Sequence, residues 1–343
     1  MAVLSSLSRF RDLQSRPPAH RRNDRPPKLQ TMTLLCYDSL FLEHDTGGHP
    51  ESAERLQTVW SHLQSRNFDQ DCSLGTWSPA TAEQVSRVHP ESYINVIRQS
   101  SELGGGQIEA DTIVSALSYD AAMHAAGAVC YCVEEVVAGR HPNALSLVRP
   151  PGHHARPVNA MGFCLFNHIA VAAKHATEAL GVDRVLVIDW DVHHGNGTQE
   201  MFYESENIGF FSVHRSPFYP GTGKESETGR GAGLGSTLNV ELDFGVTRSD
   251  YMHAFERGLE EIAARIKPDL IMISAGFDAH RSDPIGSLGL EVEDFAELTS
   301  LAQKCADAYC DGRIVSMLEG GYNPMMLAQC VESHLVELMG TSN

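Results

Sequence analysis

Short apolar runs alternate along this chain with longer segments in which apolar residues recur every three to four positions. The apolar runs lie at 143–148, 184–189, 207–213, 269–274 and 313–318. The segments with helical spacing lie at 167–180, 249–266 and 292–309. Near-continuous apolar runs are typical of strands buried on both faces, and their alternation with helices is typical of parallel sheets. The pattern predicts a single α/β domain in which a parallel β-sheet is flanked by helices.

Each predicted strand is followed by a loop in which histidine, acidic residues, glycine or proline are concentrated. The five loops begin at Arg149, Asp189, His214, Ala275 and Glu319. In open parallel sheets, ligands bind outside the carboxyl ends of the strands. We therefore expect the five loops to converge on one active site at this edge of the sheet.

A metal site is the first chemistry that these loops predict. Asp189, Asp191 and His193 stand at i, i+2 and i+4; if strand geometry continues through them, they share one face. Asp191 and His193 can then bind one metal together with Asp278 from a neighbouring strand. Two carboxylates and one imidazole leave a position open for water and substrate, as in catalytic sites. The alternative is a set of salt bridges and a hydrogen-bonded histidine at a strand end.

Acid–base chemistry is the second prediction. His153 and His154 follow a Pro-Pro-Gly turn, and one imidazole can act as general base on water and then protonate a leaving amine. Asp189 can hold one of these rings in a single tautomer. Tyr322 follows two glycines and can donate its hydroxyl to a developing oxyanion. The alternatives are a solvent-exposed histidine pair and a tyrosine packed for structural reasons.

Composition excludes several classes of protein. Asp and Glu (44) outnumber Lys and Arg (26), giving a net charge of −18, so direct nucleic-acid binding is not expected. No apolar run approaches the roughly 18 residues of a membrane span. The eight cysteines include no Cys-x-x-Cys pair and are expected to be reduced thiols. We therefore predict a cytoplasmic protein.

The first 31 residues differ from the rest in charge. They hold seven Lys or Arg and two acidic residues, with several prolines. We predict a disordered basic extension at 1–31, or a start at Met32, followed by one catalytic domain at 32–343. The alternative is an organelle transit peptide, because the segment is rich in Arg and Ser.

Seven stretches together resemble the zinc-dependent histone deacetylase superfamily, which includes acetylpolyamine amidohydrolases. They are Gly48-His-Pro-Glu-Ser-Ala-Glu-Arg-Leu56, Arg149-Pro-Pro-Gly-His-His154, Gly162-Phe-Cys164, Asp189-Trp-Asp-Val-His-His-Gly-Asn-Gly-Thr198, Phe218-Tyr-Pro-Gly-Thr-Gly223, Ser274-Ala-Gly-Phe-Asp-Ala-His280 and Glu319-Gly-Gly-Tyr-Asn323. The chain is most similar to the class II and bacterial class II-like branch. The resemblance extends from about residue 35 to residue 339 and implies an arginase/deacetylase-like fold.

The resemblance also implies roles for individual residues. Zn²⁺, with Fe²⁺ as an alternative, is implied at Asp191, His193 and Asp278. A general base and acid is implied at His154, with His153 as its partner oriented by Asp189, and carbonyl polarisation is implied at Tyr322. Substrate contacts are implied at Phe163 and Tyr219 (channel walls), Asp111 (rim), Gly162 (backbone carbonyl) and Arg55 (acetate exit). Structural K⁺ is implied, with one ion near Asp189, Asp191, His193 and Ser212.

Three positions set this chain apart from parts of the superfamily. Asn196 replaces the Asp of many class I members, and should leave His154 less basic. Tyr219 replaces the commoner Phe, which adds a hydroxyl to the channel wall. Ile285 stands where a polyamine-specific branch has Glu, which weakens an assignment to that branch without excluding the bacterial polyamine enzymes.

Hydrolysis of the acetyl amide of N-acetyl-lysine in proteins is the predicted function. The first alternative is an acetylpolyamine amidohydrolase, and a remote one is a catalytically silent acyl-lysine binding protein. A binuclear manganese ureohydrolase of the arginase type is disfavoured, because Gly195 stands where that chemistry needs another carboxylate. The sequence leaves the oligomeric state open.

Overall fold

The computed structural model of the chain describes residues 32–340. A sheet of eight parallel strands forms its centre, in the order β2-β1-β5-β10-β9-β6-β7-β8. The strands are β1 (Leu34–Cys36), β2 (Ser73–Leu74), β5 (Asn143–Ser146), β6 (Val185–Asp189), β7 (Ile208–Arg215), β8 (Thr237–Leu242), β9 (Leu270–Ala275) and β10 (Ile314–Leu318). A separate antiparallel hairpin consists of β3 (Gly105–Glu109) and β4 (Thr112–Ser115).

Helices cover the sheet. They are α1 (Ala53–Ser65), α2 (Phe68–Asp71), α3 (Ala82–Ser86), α4 (Glu91–Glu102), α5 (Ser118–Val137), α6 (His168–Ala179), α7 (Asn196–Phe202), α8 (Arg248–Ile266), α9 (Val292–Tyr309) and α10 (Pro324–Leu338). One layer of helices packs in the order α8, α9, α10, α1. In another layer, α5 packs against α6. No helix within residues 32–340 is both long and apolar enough to cross a membrane.

The predicted fold class is confirmed. The five predicted strands are β5, β10, β9, β6 and β7, which are adjacent in the sheet. Their residues are buried almost throughout, as expected when helices cover both faces. Because all neighbouring pairs in this sheet are parallel, the loops after these strands lie at one edge.

Several elements were not predicted from the apolar pattern. The outer strands β1, β2 and β8 are short or only partly buried, and the hairpin strand β3 is mostly exposed. The predicted extension at 1–31 lies outside the described residues, so it stays a prediction.

Candidate active site

The strand β6 ends at Asp189, so the condition that strand geometry continues through Asp191 and His193 is not met. Two successive turns closed by carboxylates follow instead. The backbone N–H of Asp191 donates to Asp189 Oδ1 at 3.1 Å, and that of His193 donates to Asp191 Oδ1 at 2.9 Å. Asp side chains often accept a hydrogen bond from the backbone two residues further on. These turns, rather than a strand pleat, account for the alternate spacing of the three residues.

Asp191, His193 and Asp278 come together where the loops after β6 and β9 meet. One ligand atom of each lies within 4.8 Å of the others, and this is the one such group of His, Cys, Asp or Glu within residues 32–340. His193 Nδ1 is 3.0 Å from Asp191 Oδ1 and 3.1 Å from Asp278 Oδ2. All three side chains are buried.

The donor set fits a divalent cation such as zinc. Backbone N–H groups orient both carboxylates, because Asp278 Oδ1 accepts from Val192 at 2.8 Å and Asp191 Oδ2 accepts from Gly320 at 2.9 Å. Asp278 Oδ2 is buried without a well-directed hydrogen bond from any residue of 32–340. Carboxylate oxygens and an imidazole nitrogen suit zinc and also iron, and three protein ligands leave a position for substrate.

Two glycines provide the space for these ligands. A Cβ atom on Gly320 would overlap Asp278 Oδ2 and lie 2.5 Å from Asp191 Oδ2. A Cβ atom on Gly276 would overlap the Asp191 carboxylate in the same way. The loops after β9 and β10 can therefore approach Asp191 this closely only with glycine at both positions.

The electrostatics of the group favour a positive charge between the two carboxylates. Burial raises the pKa of Asp278 to about 7, and the nearby charge of Asp191 acts in the same direction. Burial opposes a charge on His193, but Asp191 and Asp278 outweigh it and raise its pKa to about 10. A divalent cation would relieve the repulsion between the two buried carboxylates.

His153 lies in the loop that follows β5, and its ring centroid is 4.0 Å from that of His154. His153 Nδ1 is 3.0 Å from Asp189 Oδ2, and its Nε2 is 3.8 Å from Asp191 Oδ1. Burial opposes a charge on His153, but Asp189, Asp191 and Glu319 together raise its pKa well above the ordinary value. Asp189 thus contacts the histidine that it was expected to orient.

His154 has a different environment. Its Nδ1 is 2.8 Å from Asn196 Oδ1. Because a carbonyl oxygen only accepts, Nδ1 carries the hydrogen and Nε2 keeps its lone pair in the neutral ring. Burial, followed by the neighbouring His153 and His193, lowers the pKa of His154 well below its usual value. A neutral imidazole with a free Nε2 can accept a proton.

Tyr322 lies in the loop between β10 and α10 and is 9% exposed. The Arg55 guanidinium lies 4.7 Å from the centre of its ring, and the Phe163 ring stands edge-on at 5.7 Å. Burial raises the pKa of the Tyr322 hydroxyl well above its usual value, so that the group stays protonated. It can therefore donate a hydrogen bond, as the stabilisation of an oxyanion requires.

Arg55 is buried beneath this loop and donates to its backbone. Its Nε donates to the carbonyl of Gly321 at 2.5 Å, and Nη2 donates to that of Glu319 at 2.7 Å. Its Nη1 donates to Glu51 Oε1 at 3.0 Å. These contacts hold the backbone around Tyr322, and the acetate-exit role of Arg55 stays a prediction.

The hairpin β3–β4 supports the predicted rim. Asp111 Oδ1 accepts from the backbone of Gly162 at 3.1 Å and from Thr112 Oγ1 at 2.9 Å. Thr112 Oγ1 in turn accepts from the backbone of Phe163 at 3.1 Å. Phe163 has a φ of 70°, a conformation that non-glycine residues rarely adopt. The hairpin therefore fixes the backbone that presents Phe163.

Tyr219 forms the other aromatic wall and is 37% exposed. Its ring stands edge-on to His154 at 5.3 Å and to His193 at 6.0 Å. Burial and the adjacent Asp111 carboxylate raise the pKa of the Tyr219 hydroxyl. Phe163 thus contacts Tyr322, whereas Tyr219 contacts the two histidines.

Three buried acids at the site were not singled out in the sequence: Glu51, Asp283 and Glu319. Glu319 accepts from the backbone of Gly152 at 2.7 Å and from Ser274 Oγ at 2.9 Å, and burial raises its pKa to about 7. It therefore joins the loop after β10 to the loop of the two histidines. Its position directly before the Gly-Gly-Tyr stretch was the available signal.

A family model described as histone deacetylase domain matches residues 49–338. The matched range includes every residue predicted for the site. It leaves out β1 and the residues before it.

Similar proteins agree with that match. A probable deacetylase of Archaeoglobus fulgidus is 37% identical over 85% of this chain and 82% of its own length. A histone deacetylase-like amidohydrolase of Pseudomonas aeruginosa is 37% identical over 90% of this chain and 86% of its own length. A crystal structure of the HDA15 HD domain superposes with a TM-score of 0.86 at 35% identity, covering 91% of this chain and 89% of that one.

Proposed function

This chain belongs to the histone deacetylase family, and we propose that it hydrolyses the acetyl amide of N-acetyl-lysine side chains in proteins with one zinc ion. The observation that carries the proposal is the buried Asp191–His193–Asp278 group beside a neutral His154. The relatives named deacetylase and amidohydrolase support amide hydrolysis as the reaction.

Asp191 Oδ, His193 Nδ1 and Asp278 Oδ2 would hold the ion. Zinc bound there supplies a Lewis acid that polarises the acetyl carbonyl and lowers the pKa of water. His154 Nε2 accepts the proton from the attacking water, and Asn196 keeps the ring in the required tautomer. The water oxygen forms the new bond to the acetyl carbon.

Tyr322 acts on the developing oxyanion. Its hydroxyl donates a hydrogen bond to the oxygen that was the amide carbonyl, a contact that strengthens as negative charge develops. The carbon–nitrogen bond then breaks, and His154 gives its proton to the leaving amine. The products are acetate and the free amine.

A protein-borne acetyl-lysine is favoured over an acetylpolyamine by two positions. Asp111 lies at the rim, where a carboxylate can accept hydrogen bonds from the backbone N–H groups of a polypeptide. Ile285 removes the acidic gatekeeper of the polyamine-specific branch. An acetylpolyamine amidohydrolase remains the second candidate, because the matched family and the relatives named deacetylase and amidohydrolase do not distinguish the two classes of substrate.

Acetate release by the purified, zinc-loaded protein tests this choice. An acetyl-lysine peptide would be compared with N-acetylputrescine and N-acetylspermidine, with and without a hydroxamate chelator. We expect chelator-sensitive turnover of the peptide at a higher kcat/KM than of either polyamine. Preference for the polyamines would favour the second candidate. A zinc-bound protein that hydrolyses none of them would favour the silent binding protein.

A second metal in the manner of arginase is not proposed. A Cβ atom on Gly195 would overlap Asp189 Oδ2 and lie 3.2 Å from His153 Nδ1, so there is no room for a bridging carboxylate at that position.

We also propose a structural potassium ion near Asp189 and Ser212, and a cytoplasmic location. A higher Tm in KCl than in choline chloride would support the ion, and equal values would contradict it. A fluorescent fusion of the full chain, compared with one lacking residues 1–31, tests the location. Loss of organelle staining in the shorter fusion would favour the transit-peptide alternative.

A further inference from the structure

The segment that carries Tyr322 contains two consecutive glycines, and Gly321 has a φ of 122°. Such a segment has unusual backbone freedom. A neighbouring loop and a helix restrain it: the carbonyl of Gly320 accepts from the backbone of Phe277 at 3.0 Å, and Arg55 on α1 donates to the carbonyl of Gly321. The position of the Tyr322 ring therefore depends on these restraints.

One restraint acts on the backbone of Tyr322 itself, and it comes from Asp283. The backbone N–H of Tyr322 donates to Asp283 Oδ2 at 2.6 Å. The other oxygen, Oδ1, accepts from the backbone of Ile285 and of Gly286, both at 2.9 Å. Asp283 is 8% exposed and has no salt bridge to any residue within 32–340. Three backbone N–H groups from two loops thus share one buried carboxylate.

The loop of Asp283 is also the loop of a metal ligand. Asp278 lies five residues earlier, and its carbonyl accepts from the backbone of Ser287 at 2.7 Å. The residues between them form a closed turn after β9. Asp283 therefore connects the turn that presents Asp278 to the segment that presents Tyr322.

We propose that Asp283 is a positioning residue for catalysis, which holds the Tyr322 hydroxyl at a fixed place relative to the metal ligand Asp278. The proposal rests on the proposed function, because it assumes that Tyr322 acts on the oxyanion. Both oxygens are needed, since one holds the turn and the other holds Tyr322. Asparagine offers one accepting oxygen, so it can accept either from the two N–H groups of the turn or from the N–H of Tyr322, but not from both.

Asp283→Asn tests the role. We expect kcat to fall about 10- to 100-fold, because a displacement near 1 Å costs about that factor. KM should stay within about twofold and the zinc content near one per chain, because the asparagine oxygen can still accept from Ile285 and Gly286 in the turn that presents Asp278, and the rim is unchanged. Hydrogen exchange of the peptide 319–324 should accelerate, since the amide of Tyr322 loses its acceptor.

A double mutant separates positioning from general weakening of the structure. In the Tyr322→Phe background there is no hydroxyl to misplace, so Asp283→Asn should lower kcat less than twofold further. An equal loss in both backgrounds would overturn the proposal. So would a kcat within twofold of the wild type in Asp283→Asn.

Asp294→Asn is the control for loss of a buried carboxylate, although Asp294, unlike Asp283, also pairs with Arg248, whose Nε lies 2.7 Å from its Oδ2. Asp294 is also buried and accepts from a backbone N–H, that of Glu291 at 2.8 Å, but in a capping box at α9. Its replacement should lower Tm without changing kcat. If Asp283→Asn does not fold, Asp283→Glu keeps both oxygens but shifts them by a methylene, and it should lower kcat in the same way. An unchanged kcat in that variant would overturn the proposal.

Failure of the two proposals can be told apart in the same assay. A wild-type protein that releases no acetate overturns the proposed function and, with it, the role of Asp283. An active wild type with unchanged Asp283 variants overturns the positioning role alone.

Discussion

Two regions of the site are built in different ways. We define the floor as His153, His154, Asp191, His193, Asp278 and Tyr322, and the rim as Asp111, Gly162, Phe163 and Tyr219. The floor side chains are at most 9% exposed, whereas Tyr219 on the rim is 37% exposed. The floor follows adjacent strands of the sheet, while the rim is held by the hairpin β3–β4 and by long loops.

The difference separates chemistry from substrate choice. Buried carboxylates and backbone N–H groups fix the floor, so that a change there should affect catalysis for every substrate. The side chains of Asp111, Phe163 and Tyr219 on the rim are at least partly exposed, so a change there should depend on what surrounds the acetyl-lysine. The following variants test this separation.

The largest effect is expected from the floor. Tyr322→Phe and His154→Ala should each lower kcat by about 10²- to 10⁴-fold, because one removes an oxyanion donor and the other the general base. Atomic absorption should still find close to one zinc per chain. Full activity in either variant would contradict the role assigned to that residue. Loss of metal in Tyr322→Phe would mean that the hydroxyl supports the ligands rather than the substrate.

A smaller loss of kcat is expected for Asp189, which does not touch the substrate and acts through its contact with His153. Asp189→Asn should lower kcat by about 10- to 100-fold, because His153 loses its carboxylate partner 3.0 Å away. Asp269→Asn is the control, since Asp269 lies at the opposite edge of the sheet and pairs with Arg184. Steady-state kinetics on one peptide compares them. Equal kinetics in both variants would show that orientation of His153 does not matter.

On the rim, the effect should depend on substrate. Asp111→Asn should lower kcat/KM for an acetyl-lysine peptide about tenfold, equivalent to ~1.4 kcal/mol. For N-acetyl-lysine without flanking residues, the change should be under about threefold, because the backbone contacts are missing. Asparagine can still accept from Gly162, so the rim backbone is retained. Equal losses of kcat/KM for both substrates would show that Asp111 affects catalysis for every substrate, as the floor residues are expected to do.

The smallest effect is expected for Tyr219→Phe. The ring that packs against His154 and His193 remains, and only the hydroxyl near Asp111 is lost. We expect kcat to change by less than about threefold. A loss of 100-fold or more, measured with the same peptide, would show that the hydroxyl belongs to the catalytic machinery.

The centre of the fold was predictable because its strands are buried on both faces. The ends of β6 and β10 lie within one residue of the predicted runs, since every side chain in them is apolar or faces a covered surface. By contrast, β3 is exposed and rich in glycine, so no apolar pattern marks it.

The residues of the site could be predicted from the sequence, but the hydrogen bonds that position them could not. Asp191, His193 and Asp278 could be grouped because strand ends in a parallel sheet converge. Two turns, rather than continued strand geometry, follow Asp189, because side-chain carboxylates compete with the sheet for backbone N–H groups. The bond from Tyr322 to Asp283 joins two irregular loops, and no periodicity in the sequence encodes it.

Zinc titration of the metal-free protein tests the central claim most directly, namely that the buried Asp191–His193–Asp278 group forms one catalytic metal site. Acetate release from an acetyl-lysine peptide would be followed while zinc is added to a known concentration of chains. We predict no turnover without metal and a linear rise that ends at one zinc per chain, with Asp278→Ala failing to respond. Full turnover of the chelated protein, or an unchanged titration in Asp278→Ala, would contradict the account.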